Sequence, residues 1–216
     1  MSILNQAVVS IRHYSQLKPL ACTIVNGNPE SFFTVKFADS AMAGYEIIKG
    51  DPIIYGAMEN DNFAINGGNV IAYVEPEGNI VISPDKVFNI AERRQYERFP
   101  VSLFGSLTRH ASGKKRFHAY IKDMSYSGFR LYSEVDLNVG DSIEVDIFLH
   151  NSMLNVAGTI MRKSVFYGRN EYGIQIVFRD KSAIYATQEF LDKLLSSETE
   201  LLRKQLVKNL IPHSTK

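Results

Sequence analysis

The first half of the chain contains short segments in which apolar and polar residues alternate, and each segment is followed by residues that favour turns. Alternation with a period of two is typical of a strand with one buried face. Asn, Gly and Pro separate the segments, and Asn and Gly readily adopt the positive φ of tight turns. The pattern predicts a small all-β barrel or sandwich. Its predicted strands are 19–25, 31–37, 51–58, 68–75 and 79–83.

A second set of alternating segments follows residues 83–92, which have no clear strand pattern and are interpreted as a linker. The sequences NVGD (138–141) and YGRNEYG (167–173) are predicted turns in this half, and INGGN (65–69) is a predicted hairpin turn in the first half. Regular spacing of the segments predicts another small barrel. Its predicted strands are 100–109, 116–124, 129–134, 141–150, 153–162 and 172–178.

From Asp180 onward the apolar spacing becomes that of an amphipathic helix. Asp180 or Ser182 can cap its first turn, and Pro212 is expected to end it. Ser197 and Glu200 have the spacing of a capping box, which predicts a break in the helix at that point. The predicted fold class is therefore mainly β, with two small β-barrel domains and a C-terminal α-helix. The apolar face of the helix is predicted from Phe190, Leu191, Leu194, Leu195, Leu201, Leu202 and Leu206.

The composition limits the classes of protein to which the chain can belong. It has 216 residues, of which 45% are hydrophobic, and no run of eighteen apolar residues that would span a bilayer. The N-terminus lacks the charged and apolar regions of a signal peptide, so we expect a cytoplasmic protein. Cys22 is the single cysteine, which excludes an intrachain disulfide and a cysteine-based metal cluster.

The net charge of +1 conceals an asymmetry between the two halves. Residues 1–92 carry five Lys/Arg and ten Asp/Glu, whereas residues 93–216 carry nineteen and thirteen. The C-terminal part is thus the one expected to meet an anion. Because its arginines cluster at one end, the pattern favours a compact anionic ligand over a long nucleic-acid duplex, which would require a basic stripe.

Motifs that would indicate an enzyme or a metal site are incomplete. A phosphate-binding loop around ASGKKRF would require glycine where Thr108 stands and a hydroxyl where Lys115 stands. The five histidines have no partner at metal-ligand spacing. No Ser-His-Asp or Cys-His set can be argued from the sequence, although such groups need not be adjacent in the chain. We therefore predict no enzyme, no metal and no cofactor.

Three arginines precede the first strand of the second half, in the sequence ERRQYERFPV (92–101). Arg94 and Arg98 have RxxxR spacing, and Arg93 comes directly before them. An arginine fork can pair with phosphate oxygens or with the O6/N7 edge of guanine, and it can stack on a base. Taken alone, such a pair is more often solvated surface charge.

The sequence DMSYSG (123–128) follows between two predicted strands. Asp123 can accept hydrogen bonds from the N–H edge of a guanine, and Ser125 offers a short donor. Gly128 allows the backbone to turn sharply or to approach a ligand closely. Taken alone, D-x-S-x-x-G is a common turn between strands.

Together, RRQYERF, DMSYSGFRL, the GTIMR strand and YGIQIVF resemble the PilZ domain family over residues 93–180. The family signature, RxxxR followed by (D/N)xSxxG, is complete at Arg94, Arg98, Asp123, Ser125 and Gly128. The part of the chain before residue 93 resembles the N-terminal β-barrel of two-domain PilZ proteins of the flagellar-brake type. This resemblance rests on its length, its β pattern and its GDPI segment. The implied domains are 1–88, 89–180 (linker and RxxxR at 89–99) and a helical tail at 181–216.

The resemblance implies a six-stranded barrel that binds the bacterial second messenger cyclic di-GMP without catalysis. Arg94 and Arg98 would grip guanine edges and phosphates, and Asp123 would fix a guanine N–H edge. Ser125 and Gly128 would complete the turn beneath the ligand. Arg162, on the GTIMR strand, is a further candidate that would stack on a base. In the family an arginine at the position of Arg93 accompanies two ligand molecules, which is expected here.

A sensor is the function that the resemblance implies. Ligand binding to the arginine segment would change the arrangement of the two domains and regulate motility as a flagellar brake, with flagellar motor proteins as partners and the basal body as location. Two alternatives remain open from the residues themselves. One is a nucleic-acid-binding module that uses the basic half. The other is an assembly module whose leucine-rich tail pairs with itself, as a homo-oligomer, or with another helix.

Overall fold

The computed structural model of the chain describes residues 7–16, 18–38, 47–59, 62–74, 78–85, 96–109, 115–149 and 152–210. The chain divides into two compact units, one of residues 1–88 with 197–216 and the other of residues 89–196. Each unit contains one closed barrel of antiparallel strands, and a C-terminal helix contributes to both units. The predicted fold class is confirmed.

The first barrel closes by pairing its first and fourth strands, and around the barrel the strands follow in the order first, second, third, sixth, fifth, fourth. Its core is formed by side chains with almost no exposed surface, such as Val35, Val70, Ile80 and Ile82. Cys22 belongs to this core, and burial raises the pKa of its thiol. The strands are β1 (Val8–His13), β2 (Leu20–Gly27), β3 (Phe33–Phe37), β4 (Pro52–Glu59), β5 (Asn62–Val74) and β6 (Asn79–Pro84).

Two sequence predictions for the first half are wrong. The INGGN segment is not a hairpin turn but the middle of β5, where Gly67 and Gly68 pair with β4. A Cβ on Gly68 would lie 2.9 Å from the carbonyl oxygen of Ser83, so the glycine permits β5 and β6 to approach closely. The predicted linker began too early, because Ser83 and Pro84 belong to β6; residues 86–92 of that linker lie outside the described residues.

The second barrel closes by pairing its own first and fourth strands, and around the barrel its strands follow in the order fourth, fifth, sixth, third, second, first. Its core includes Leu107, Ile121, Phe129, Leu131 and Val145, all fully buried. Each of its strands overlaps a predicted one. They are β7 (Phe99–Arg109), β8 (Arg116–Ser125), β9 (Gly128–Ser133), β10 (Ser142–Leu149), β11 (Ser152–Phe166) and β12 (Arg169–Val177).

The predicted turn at 167–173 is much shorter in the structure. β11 continues to Phe166 and β12 begins at Arg169, so only Tyr167 and Gly168 form the turn. Both have a positive φ, 48° and 79°, as a tight two-residue hairpin requires. The predicted turn at 138–141 is confirmed, with Gly140 at φ 92°.

A single helix, α1 (Lys181–Leu210), follows the second barrel. Asp180 caps it by accepting hydrogen bonds from the Ser182 hydroxyl and the Ala183 amide, at 2.5 and 2.9 Å, and these bonds lower the pKa of Asp180. The predicted break at Ser197 is wrong, because Glu200 pairs forward with Lys204 instead of reaching back. Pro212 lies outside the described residues.

The two halves of α1 belong to different units. Phe190, Leu191 and Leu194 join the core of the second barrel, whereas Leu202 and Leu206 are buried in the unit of the first barrel. Leu195 is half-buried, and Leu201, which was also assigned to the apolar face, is exposed. The face is therefore narrower than the spacing of the leucines suggests.

Candidate functional site

Two arginines share one buried carboxylate where β7 and β8 meet. Asp123 lies near the end of β8, and its side chain is 5% exposed. Arg98, which directly precedes β7, donates from Nη1 to Oδ1 of Asp123 at 2.6 Å. Arg130, which pairs with Asp123 across β8 and β9, donates from Nε to Oδ2. One carboxylate therefore orients guanidinium groups from two different segments of the chain.

The turn between β8 and β9 places the backbone beside this cluster. Ser125 is buried, and its hydroxyl donates to the carbonyl oxygen of Gly128 at 3.0 Å. A Cβ on Gly128 would lie 2.3 Å from the carbonyl oxygen of Ile174, a distance that no side chain permits. Gly128 is thus required because β12 approaches β9 closely, and Ser125 holds the turn in shape.

A third arginine, Arg162 on β11, adds positive charge next to the cluster. Partial desolvation lowers the pKa of Arg162, the guanidinium of Arg130 lowers it further, Glu171 raises it, and Arg98 and Asp123 contribute a smaller lowering and raising. Desolvation is the largest of these causes, and the two neighbouring carboxylates oppose the effect of the two neighbouring guanidiniums. A bound anion would favour the charged form of Arg162.

An open cavity of about 350 Å³ lies beside two of these arginines. Arg98 and Arg162 border it, together with Met161, with the turn residues Ser127 and Gly128, and with residues 173–175 of β12. Its volume is in the range of small-molecule sites, and its lining combines charged guanidiniums with glycine backbone. The cavity therefore suits a planar, anionic small molecule better than an apolar one.

Residues 92–192 match the PilZ domain family. The matched segment contains the entire second barrel, the Arg98–Asp123–Arg130 cluster and the turn that ends at Gly128. Residues 92–192 form a PilZ domain. The resemblance seen in the sequence is confirmed for this part of the chain.

Three of the solved structures that match this chain are covered over most of their length. One is the Bacillus subtilis inhibitor of motility MotI/DgrA, with 13% identity, a TM-score of 0.39, and 99% of this chain and 100% of that chain covered. Another is Escherichia coli YcgR in complex with c-di-GMP, with 12% identity, a TM-score of 0.45, and 92% and 88% covered. The K. pneumonia MrkH–c-di-GMP complex has 13% identity, a TM-score of 0.45, and 90% of both chains covered. The chain has no significant match among curated proteins.

The structure brings together five of the seven residues expected from the sequence. Arg98 and Asp123 form an ion pair, Gly128 and Arg162 border the cavity, and Ser125 supports the turn from a buried position. Arg93 and Arg94 lie outside the described residues, so their part in the site stays a prediction.

Arg130 is the main residue that the sequence interpretation missed. It stands two positions after Gly128, and a two-residue turn between β8 and β9 pairs it with Asp123. That register is readable from the D-x-S-x-x-G spacing once the turn is known to contain only residues 126 and 127. Met161 was missed because the β-bulge between Ile160 and Arg162, which no sequence pattern indicated, places both Met161 and Arg162 beside the cavity.

Two other kinds of site are absent from the described ranges. No group of three His, Cys, Asp or Glu residues within the described part of the chain is arranged to hold a metal ion. No helix among these residues is long and apolar enough to cross a membrane.

Proposed function

We propose that the chain is a receptor for cyclic di-GMP and that its PilZ domain binds the ligand in the cavity bordered by Arg98, Gly128 and Arg162. The observation that carries the proposal is the Asp123 carboxylate of this PilZ domain, which is held between Arg98 and Arg130, together with the open cavity that Arg98 itself borders. Cyclic di-GMP has two phosphates and two guanines, which are the groups that arginine forks recognise. The domain division 1–88, 89–180 and 181–216 is part of this proposal.

Each member of the site has a role in the proposal. Arg94 and Arg98 pair with phosphate oxygens and guanine edges, and Asp123 accepts from a guanine N–H edge. Gly128 borders the cavity and completes the turn beneath the ligand together with Ser125. Arg162 stacks on a base. The roles are compatible with the observed pairing of Arg98 and Asp123 because a guanine edge can replace a guanidinium on the carboxylate.

Isothermal titration calorimetry with cyclic di-GMP tests the proposal, and chromatography of the ligand afterwards tests for turnover. We expect saturable binding and recovery of the intact ligand, because none of the proposed site residues is a nucleophile with an adjacent base. Linear dinucleotide or GMP formed at a rate that depends on the protein would instead indicate an enzyme.

A nucleic-acid-binding module is the second candidate, favoured by the excess of cations at the site. It predicts affinity for long DNA or RNA with a steep dependence on salt and no preference for cyclic di-GMP. The same titration with a duplex at two salt concentrations separates the candidates, because a compact ligand with two phosphates loses far less affinity with salt.

Arg93→Leu is expected to change the number of ligands bound. Cyclic di-GMP can stack into an intercalated dimer, which brings four phosphates and outer guanine faces together. A further guanidinium at residue 93 would offset this charge and cover an outer base. We therefore expect two ligands per chain for the wild type and one for Arg93→Leu, measured as the calorimetric ratio. A ratio of one for the wild type, or an unchanged ratio, would contradict this role of Arg93.

A hydrogen bond connects the site to helix α1 within the same unit. Tyr126, in the turn between Asp123 and Gly128, donates from its hydroxyl to Oδ1 of Asp192 at 2.9 Å, and this bond raises the pKa of Tyr126. The ring of Tyr126 also packs edge to face against the ring of Tyr96, two residues before Arg98, with 5.9 Å between the ring centroids. Ligand-induced movement of the arginine segment can therefore reach the helix through one side chain.

The receptor's output, in this proposal, is a change in the arrangement of its domains. The arginine segment lies between the two barrel sequences in the chain, and α1 has residues in both units, so a ligand that acts on this segment and on α1 would change the arrangement of the units. In this proposal the output regulates motility as a flagellar brake, by contact with motor proteins on the cytoplasmic side, because the two-barrel sequence resembles flagellar-brake-type PilZ proteins.

Tyr126→Phe is expected to weaken this communication without weakening binding much. The substitution keeps the ring against Tyr96 but removes the donor to Asp192. Hydrogen exchange of α1 amides should then respond less to cyclic di-GMP, while the calorimetric affinity stays near that of the wild type. Tyr185→Phe, which alters an exposed tyrosine on α1, is the control, and its α1 amides should respond to the ligand like those of the wild type. An unchanged response in Tyr126→Phe would rule out this path.

A further inference from the structure

Gly173 lies directly across from Arg162 in the β11–β12 pair. A Cβ built on Gly173 would lie 2.6 Å from both Cγ and Nε of Arg162 and 3.0 Å from its Cδ. These are the three nearest atoms, so the Arg162 side chain occupies the space that any larger residue at 173 would need. Both residues border the cavity, and the missing side chain of Gly173 therefore determines where Arg162 lies.

The other glycines of this part of the barrel have a different function. A Cβ on Gly128 would meet the backbone oxygen of Ile174 at 2.3 Å, and a Cβ on Gly158 would meet the Ile174 side chain at 2.5 Å. Those two glycines are required by the packing of the barrel. At Gly173, by contrast, the clash involves only a flexible side chain that can move away.

Arg162 is partly desolvated where it lies over Gly173. Desolvation is the largest cause that lowers the pKa of Arg162, and the guanidinium of Arg130 lowers it further. A side chain on the rim of an open cavity would otherwise extend into water. Gly173 thus permits a position that becomes favourable when an anionic ligand supplies the missing partner.

We propose that Gly173 is a positioning residue for the ligand: it lets Arg162 lie across β12 with its guanidinium at the cavity, where the guanidinium contacts the bound nucleotide. This role rests on the proposed cyclic di-GMP receptor function. It places a specificity determinant outside the arginine and D-x-S-x-x-G segments, on the strand that forms the cavity wall.

A double-mutant cycle measured by calorimetry with cyclic di-GMP tests the proposal. Gly173→Ala should weaken binding by roughly tenfold, the loss that corresponds to one guanidinium contact, and Arg162→Ala should weaken it by a similar factor. In the Arg162→Ala background, Gly173→Ala should cause no further loss, because the side chain that it displaces is gone. Val177→Ala, an exposed change on the same strand, is the matched control and should bind like the wild type.

The NMR signal of the Arg162 Nε–Hε group provides a readout that does not need the ligand. Gly173→Ala should shift this signal in the free protein, and Val177→Ala should not. An unchanged signal overturns the proposal, even if the wild type does not bind cyclic di-GMP, which would refute the receptor function separately.

Equal losses of affinity from Gly173→Ala in the presence and absence of Arg162 also overturn the proposal, because they show that the alanine acts on the strand itself. If Gly173→Ala fails to fold, the double variant decides. Recovery of folding in Gly173→Ala/Arg162→Ala supports the steric link between the two residues, and failure of both variants refutes it.

Discussion

Asp123→Ala should weaken the binding of cyclic di-GMP by about 1–3 kcal/mol, which is roughly 5- to 150-fold in Kd. The substitution removes the proposed acceptor for a guanine N–H edge. It also removes the carboxylate that orients both Arg98 and Arg130. Because the side chain is only 5% exposed, the remaining guanidiniums would repel each other and separate. Calorimetry on the wild type and Asp123→Ala measures the effect.

The sign of this change distinguishes recognition from simple charge attraction. Cyclic di-GMP is an anion, so deleting a negative charge beside it should strengthen binding if the site were only a positive surface. A loss of affinity shows that Asp123 orients groups or reads a base. Tighter binding by Asp123→Ala would reduce the site to a diffuse electrostatic patch and contradict the proposed receptor geometry.

Two further variants make the comparison specific. Asp123→Asn keeps one acceptor oxygen and the shape, and the (D/N)xSxxG signature accepts Asn, so its loss should be smaller than that of Asp123→Ala. Arg98→Ala should weaken binding by a comparable factor, whereas Arg109→Ala should have little effect. Arg109 stands at the opposite end of β7 and pairs with Asp141. Equal losses at Arg98 and Arg109 would again indicate a non-specific basic surface.

The sequence pattern predicts strands most directly where one face is buried and the other is more exposed. In the second barrel, β7 and β10 alternate in this way, and both overlap their predicted segments. β1 was missed because both of its faces are covered: Ile11 faces the core, while Ser10 donates its hydroxyl to the carbonyl oxygen of Leu202 on α1. Alternation disappears when a helix covers the outer face.

Glycine-containing segments were misread for a related reason. INGGN was assigned to a turn because paired glycines usually supply a positive φ, yet Gly68 lies inside β5, where the neighbouring backbone leaves no room for a Cβ. Close approach between strands depends on residues distant in the chain. Local sequence therefore cannot distinguish a glycine needed for conformation from one needed for space.

The sequence predicted those residues of the candidate site that belong to the family signature. Asp123, Ser125 and Gly128 form one local turn, so their spacing alone brings them together. Arg130 and Gly173 carry no signature, because their importance comes from register: one lies opposite Asp123 and the other opposite Arg162. Register depends on turn length and on a β-bulge, which the sequence does not specify clearly.

Arg12→Ala should lower the free energy of unfolding by about 3–5 kcal/mol, because it leaves a buried carboxylate without its cation. Nε of Arg12 on β1 donates to both carboxylate oxygens of Glu198 on α1, at 3.2 and 3.1 Å. The two side chains are only 6% and 7% exposed. Both belong to the unit that contains residues 1–88 and 197–216, so the loss should appear in the unfolding transition of that unit. Chemical denaturation monitored by circular dichroism measures it.

The paired replacement Arg12→Met/Glu198→Leu should be far less harmful than either single change. Nη1 of Arg12 is buried without a hydrogen-bond partner among the described residues, so part of the desolvation cost of this pair is already uncompensated. Apolar side chains of similar volume remove that cost and leave no buried charge. Glu200 lies two residues after Glu198 on α1 and forms an exposed ion pair with Lys204. Glu200→Ala breaks this exposed pair and should cause no measurable change in the free energy of unfolding. If Arg12→Ala were as mild as Glu200→Ala, or the paired replacement as severe as Arg12→Ala, the ion pair would not be what holds this half of α1 to β1.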